Sequence, residues 1–383
     1  GSPSTSATVA PADGPTPTPP VRRRTVLAAG IPAAVGLLGM SALTSPRPAN
    51  LGDPMGDRQL TSILTPHLGG HRRVAVAHLD GSGEVRFAGF GADENTEFEI
   101  GSVSKTFTGA LLAEAVSRGE VTTRTTIAEV LGNEDTSEDA GGSEIADVTL
   151  AELATHTSGL PRLAPGAFVG SILANFLRKD PYAGRDADQV IADALGCRPS
   201  GRGSFAYSNL GVALQGQLLA RAAGTDYASL LNQRILEPLG LGGTYAPITA
   251  EHLRGTAARG HGGSGLPHAP WTMNGSAPAG GIRSTAADLA AYLAGALDGS
   301  APGAAGASEI LVESSATERH GMNWFHEDFG DGTWHVHHNG MTGGFAAFVG
   351  FTPATGRGIV ILTDTARSVD ALAVDILTGE VAL

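Results

Sequence analysis

Phe98-Glu99-Ile100-Gly101-Ser102-Val103-Ser104-Lys105-Thr106-Phe107 decides how this chain is read. After the glycine, Phe107, Leu111, Leu112, Ala115 and Val116 recur at helical spacing, which predicts a helix from Ser102 to about Arg118 with one apolar face. Ser102 and Lys105 are three apart on that helix, so their side chains share a face, about 5–6 Å apart at Cβ. An uncharged amine there can take the hydroxyl proton, and the unpaired N–H groups of the first turn can stabilise the oxyanion that forms when a carbonyl is attacked. An isolated Ser-x-x-Lys is ordinarily an N-cap followed by a solvated lysine. Composition changes that expectation, because the chain has 26 serines and 23 arginines but only two lysines, Lys105 and Lys179. Chance supplies roughly 0.1 such matches. Arginine would carry surface charge equally well but stays protonated, whereas a buried lysine can be driven to the neutral form that a base requires.

Two further stretches complete a candidate site. Phe205-Ala206-Tyr207-Ser208-Asn209-Leu210 opens a helix expected over 209–223, where Tyr207 can relay a proton and Asn209 can position a substrate amide or hold the lysine. His338-Asn339-Gly340-Met341-Thr342-Gly343-Gly344-Phe345 precedes a strand. Its glycines would let a ligand lie along a sheet edge, with the Met341 N–H as a second oxyanion donor. Alone, the first of these reads as a helix entry and the second as a glycine-rich turn.

Outward from the site, Val74, Val76, Val85 and Phe87 flank Asp80-Gly81-Ser82-Gly83 as a hairpin, and 345–351 with 358–364 form a second near the C-terminus, followed by a helical period over 369–377. The class is α+β: an antiparallel sheet built from both chain ends and flanked by helices, with an inserted, mainly helical domain. The expected division is 51–125 and 276–383 for the sheet domain and 126–275 for the insertion, which includes helices at 209–223 and 226–237. A groove between the two is the default place for a ligand.

The chain of 383 residues carries a net charge of −13, and since the first fifty residues hold four arginines against one acid, the remainder stands at −16. Nucleic acid is therefore excluded as a partner. With one cysteine, Cys197, neither an intramolecular disulfide nor a cysteine-rich zinc site can form. His335 and His337 fall on one face of a strand, with His320 and His326 nearby, but these read as polar residues bordering the groove, and no metal or cofactor is expected. Residues 1–50 read as an export signal or anchor. Arg22, Arg23 and Arg24 precede an apolar run from Val26 to Leu43, in the order of a twin-arginine signal, with a retained membrane tether as the alternative.

Together Ser102-x-x-Lys105, Tyr207-x-Asn209 and His338-x-Gly340 resemble the penicillin-recognising serine enzyme superfamily, in its branch of class C β-lactamases, D-alanyl-D-alanine carboxypeptidases and β-lactamase-like carboxylesterases. The resemblance runs from about residue 55 to the end and extends to His156-Thr157-Ser158-Gly159-Leu160-Pro161, where His156 belongs to a structural turn, and to Pro278-Ala279-Gly280-Gly281-Ile282-Arg283-Ser284-Thr285. It implies that Ser102 is the nucleophile, that Lys105 and Tyr207 handle its proton, that Asn209, His338 and Gly340 bind substrate, and that the N–H groups of Ser102 and Met341 form the oxyanion hole. The implied substrate is a small-molecule or peptide acyl donor. Where class C β-lactamases carry Lys-Thr-Gly, His338-Asn339-Gly340 removes a permanent ammonium and a hydroxyl suited to a carboxylate, which argues against efficient β-lactam turnover. An exported carboxypeptidase-like or esterase-like hydrolase is the first expectation. A transacylase, a β-lactamase and a non-turnover penicillin-binding sensor remain alternatives.

Overall fold

A computed structural model describes residues 49–132 and 142–383. The expected signal or anchor at 1–50 lies almost wholly outside the described residues. Among those described, no helix is long and apolar enough to cross a membrane.

The strands in chain order are β1 (Pro54–Gly56), β2 (Val74–Asp80), β3 (Val85–Phe90), β4 (Phe98–Glu99), β5 (Arg283–Ser284), β6 (Val312–Glu313), β7 (Glu318–His320), β8 (Phe325–Asp328), β9 (Trp334–Met341), β10 (Ala346–Thr352) and β11 (Arg357–Thr363). Nine of them form one sheet in the order β1-β3-β2-β11-β10-β9-β8-β7-β6, antiparallel throughout, and β4 pairs with β5 separately. The sheet thus joins the two extremities of the described chain at the β2–β11 seam, as the α+β reading expects. Both anticipated hairpins are present. The first turns where Asp80 accepts from the Ser82 N–H and where Gly81 and Gly83 adopt φ of 89° and 97°, a region that glycine enters without steric cost.

Period-two alternation divides the strands between two cores. Ala75, Ala77, Val349, Phe351, Val360 and Leu362 face the larger one, while Val74, Val76, Phe348, Ile359 and Ile361 face the smaller. Against the small core pack α1 (Arg58–Leu64), whose N-cap Asp57 accepts from Leu60 N–H, and the C-terminal helix Asp370–Thr378. The large core contains α2 (Ser104–Ser117); α3 is Ala167–Phe176, α4 (Asn209–Ala222) packs on α2, and α5 (Ala286–Asp298) reaches α2 through Tyr292; the C-terminal helix is α6. Between Glu99 and Arg283 no strand occurs among the described residues.

Two helical expectations need correction. α2 does not present a single apolar face, because eleven of its fourteen residues are buried and the helix is enclosed by α4, by Phe107 stacking on Tyr292 at 4.2 Å, and by the helix Pro302–Ala307. The helix expected over 226–237 is interrupted. It runs as α-helix over Tyr227–Leu231, as a π-turn over Asn232–Leu236 and again as α-helix over Glu237–Leu239.

Candidate active site

Ser102 is carried on a braced turn. β4 pairs with β5, the Ile100 N–H donates to the Ile282 carbonyl at 3.1 Å, and the Ile282 N–H donates to Ser104 Oγ at 3.0 Å. Arg283, fully buried, bonds Glu97 and, at 3.0 Å, Glu99, while its second terminal nitrogen donates to the Ala258 carbonyl at 3.1 Å. Burial pushes the Glu99 carboxyl up to about 7 against the pull of Arg283. From this brace Gly101 turns through φ 51° into a 3₁₀ turn over Gly101–Val103, and α2 begins at Ser104.

One turn on, Lys105 is fully buried, with Nζ 2.9 Å from Ser102 Oγ and donating to the Ala279 carbonyl at 2.6 Å. Removal from water holds its ammonium well below the ordinary lysine range, and the nearby Arg162 guanidinium acts in the same direction. A neutral amine in this position can give one N–H to Ala279 and keep its lone pair for the serine hydroxyl proton.

Tyr207 lines the same groove as Ser102, from the loop before α4, and burial pushes its phenol up to about 12 against the pull of the Ser102 hydroxyl and Arg162, so it is protonated at neutral pH. Lys105 Nζ and Arg162 Cζ each lie 5.0 Å from its ring centroid. His156 holds that loop. With φ 57°, it accepts the Ala206 N–H on its carbonyl and the Ser208 N–H on Nδ1, and its imidazole stacks on Tyr207 at 4.5 Å. This is the structural turn that the sequence suggests.

The opposite wall is β9, which continues past the end of β8, whose last partner is His337, so Asn339–Met341 form a free edge beside Ser102. Thr342 N–H donates to Phe345 O, so the antiparallel alternation leaves Met341 and Ala346 as a non-hydrogen-bonded pair. The Met341 N–H therefore faces away from β10, toward the Ser102 turn, where a Cβ added to Gly101 would lie 2.7 Å from it. At Gly340 a Cβ would lie 2.1 Å from the Ile100 carbonyl oxygen and 2.9 Å from Ser102 N, so only glycine allows the two segments this close. The groove between them has a volume of about 340 Å³ and is lined by Ser102, Arg162, Tyr207, Phe325, Asn339, Gly340, Met341 and Asp370.

Two expected substrate-binding residues are placed otherwise. His338 is fully buried behind the groove, Nδ1 against the Asn339 carbonyl at 2.7 Å and its ring 4.9 Å from Phe325 and 6.5 Å from Tyr207. Burial, then the neighbouring Lys105, lowers it to about 3, so it is uncharged. Period two sends its side chain inward and that of Asn339 outward. Asn339 bonds Asp370 of α6 at 2.6 Å. Asn209 does not hold Lys105, whose partners are Ser102 and Ala279; it lines a neighbouring cavity with Tyr182. Of the groove-lining residues Arg162, Phe325, Asn339 and Asp370, the sequence singles out neither Arg162 nor Phe325, and it gives Asn339 and Asp370 no place in the groove. Arg162 directly follows the quoted His156–Pro161 stretch and was the most accessible of the four.

His335 and His337 do not converge on a metal. His335 bonds Asp331 and Thr352, His337 bonds Glu327, and among the described residues no group of three or more histidine, cysteine or carboxylate side chains is placed to hold an ion.

The family model described as Beta-lactamase matches residues 60–383. This chain belongs to the beta-lactamase family. It is accordingly an enzyme of the β-lactamase-like superfamily of serine hydrolases. A beta-lactamase of Pseudomonas fluorescens is 26% identical over 311 residues, covering 71% of this chain and 80% of that protein. Penicillin-binding protein 4 of Amycolatopsis lactamdurans is 26% identical over 308 residues, covering 73% and 75%. In fold, a class C beta-lactamase from Rhodobacter sphaeroides matches with a TM-score of 0.69 at 21% identity, over 84% of this chain and 98% of the other. A D-alanine carboxypeptidase from Burkholderia cenocepacia matches at 0.67 and 22% identity, over 84% and 97%. The beta-lactamase-family sheet, built from N- and C-terminal strands with helices on it, is thus the architecture expected from the sequence.

Proposed function

We propose that this beta-lactamase-family enzyme hydrolyses ester or amide acyl donors through an acyl-enzyme on Ser102. The observation that carries the reading is the fully buried Lys105 amine 2.9 Å from Ser102 Oγ. Neutral Lys105 takes the hydroxyl proton as Ser102 Oγ bonds to the substrate carbonyl carbon, and the resulting oxyanion lies toward the N–H groups of Ser102 and Met341. Tyr207, protonated and lining the groove with Ser102, passes a proton to the leaving alkoxide or amine as the carbon–heteroatom bond breaks. Water then attacks the ester carbonyl, gives a proton back through the same pair, and releases acid and free serine.

Substrates without a free carboxylate near β9 are favoured. His338 offers no charge there, and Asp370, anchored on Asn339, places an anion on that wall. A second reading, a D-alanyl carboxypeptidase-like activity, is supported by Arg162, a cation on the Tyr207 side of the groove. We further propose that the protein is exported, on the strength of the arginine-then-apolar order of Arg22–Leu43.

The test compares nitrocefin, p-nitrophenyl butyrate and an acyl-D-Ala-D-Ala peptide, each with Ser102→Ala as control. Turnover of the ester well above the other two, lost in Ser102→Ala, is the expected result. Wild-type turnover of all three by Ser102→Ala overturns the mechanism. A penicillin adduct that persists without turnover of any substrate assigns a sensor instead.

A further inference from the structure

Helix α3 is amphipathic in the wrong direction. Its small residues Ala167, Gly170, Ser171 and Ala174 face a cavity of about 200 Å³ that Tyr182 and Asn209 also line. Four of its large residues and Leu177 just past its end face solvent: Val169 is 73% exposed, Ile172 and Leu173 56%, Phe176 59% and Leu177 52%. These positions follow i, i+3, i+4, i+7, i+8, one continuous stripe along a helix that contains no charged residue. Five large apolar side chains aligned in water mark a surface that something covers.

The surroundings of the stripe select the occupant. Immediately after it come Arg178 and Lys179, neither in an ion pair among the described residues, and Lys179 is exposed. Asp180, the next residue, is turned away to accept the backbone N–H groups of Thr272 and Met273. A pair of cations therefore ends an apolar stripe on a body whose net charge is strongly negative. The stripe is about 15 Å long and about 10 Å wide, on the geometry of a ten-residue helix. A stable interface between two copies needs about 800 Å² from each partner, far more than this ribbon supplies. Shallow insertion into a lipid surface needs only one helix face, with cations at its edge to meet headgroup phosphates.

We propose that α3 docks the enzyme on the surface of an anionic phospholipid bilayer, with Val169, Ile172, Leu173, Phe176 and Leu177 entering the headgroup boundary and Arg178 and Lys179 at the phosphates. Because the rest of the body repels such a surface, the docking is oriented: this end approaches first.

The test uses the full chain with Cys197→Ala and a single environment-sensitive nitrobenzoxadiazole label at Leu173→Cys, or at Ser82→Cys in the exposed β2–β3 turn. Reading the label at α3 itself separates this contact from any binding by residues 1–50. With phosphatidylcholine vesicles containing phosphatidylglycerol, the label at position 173 should shift to the blue and the label at 82 should not. Lys179→Gln should weaken the titration about fivefold, the loss expected for one cation at an anionic surface. No shift at position 173, equal shifts at both positions, or an equal response to pure phosphatidylcholine would overturn the proposal. So would a blue shift without vesicles that grows with protein concentration, which would assign the stripe to a second copy of the chain.

Discussion

Gly340→Ala tests the geometry of the oxyanion site with one methyl group. The new Cβ would lie 2.1 Å from the Ile100 carbonyl oxygen, where an ordinary carbon–oxygen contact is about 3.3 Å, so the two segments must separate by about 1.2 Å. Neither side yields easily. Ile100 is tied to Ile282 at 3.1 Å, and Gly340 sits opposite Ala347 in a central strand pair. The separation therefore opens the gap between the Ser102 and Met341 N–H groups, the two donors assigned to the oxyanion. A displacement of about 1 Å costs around 10²-fold in rate, and loss of one donor about 10²–10³-fold. With p-nitrophenyl butyrate, kcat should fall by about 10²–10³-fold while KM moves only a few-fold. Overpacking should also lower stability by about 1–3 kcal/mol, read from urea unfolding. Gly69→Ala, with nothing within 4 Å of the added atom, is the control and should behave as wild type. A folded Gly340→Ala protein with wild-type kcat/KM would refute the assignment of these donors.

Lys105→Arg keeps a cation but removes a base, so acylation by a fluorophosphonate, followed by intact mass, should slow by at least 10²-fold. Because the neutral amine is the active form and its pKa is depressed, wild-type activity should rise with pH through a value well below about 10.4 and reach its plateau before that pH. Arg283→Leu strands two buried carboxylates beside the turn that carries Ser102, and should destabilise the protein by about 3–5 kcal/mol in urea unfolding. Asp370→Asn should raise kcat/KM for acyl-D-Ala-D-Ala relative to the neutral ester by about threefold to tenfold at low salt, a gain that added salt should erase.

Much of this arrangement follows from short-range rules. The Asp80–Gly83 turn, the spacing of Ser102 and Lys105 and the start of α4 at Asn209 each depend on a handful of adjacent residues, and each is found where the sequence places it. What the sequence leaves open depends on partners far along the chain. Strand alternation shows that His338 and Asn339 face opposite ways. Which way is the groove depends on Phe325 and Tyr207, more than ten residues distant, covering the His338 ring. Asn209 begins α4 as expected, but it lines a neighbouring cavity together with Tyr182, which belongs to the loop after α3. Nothing adjacent to Asp370 in the sequence places it in the groove. Its place in the groove comes from α6 packing on β10 and β11 and from its bond to Asn339.

The charge state of His338 decides between two ways of reading the third motif. If the imidazole took the place of a lysine ammonium, carboxylate substrates would bind through it and lose affinity as it deprotonates near its ordinary value of about 6.5. The structure argues otherwise. Tyr207 is surrounded by Lys105, Arg162, His156 and His338, and Lys105 is among the groups that lower both histidines, so a proton on any one makes the others harder to protonate. Burial settles the competition at His338, which stays neutral above about 3. His338→Gln, which keeps a polar side chain while removing the titrating ring, should therefore leave the acid limb of kcat/KM where it lies in the wild type, for the neutral ester and the carboxylate peptide alike. An acid-favoured binding of the peptide that titrates near 6.5 in the wild type and vanishes in His338→Gln would show that the imidazole reaches the groove charged, and would restore it as a substrate-binding cation.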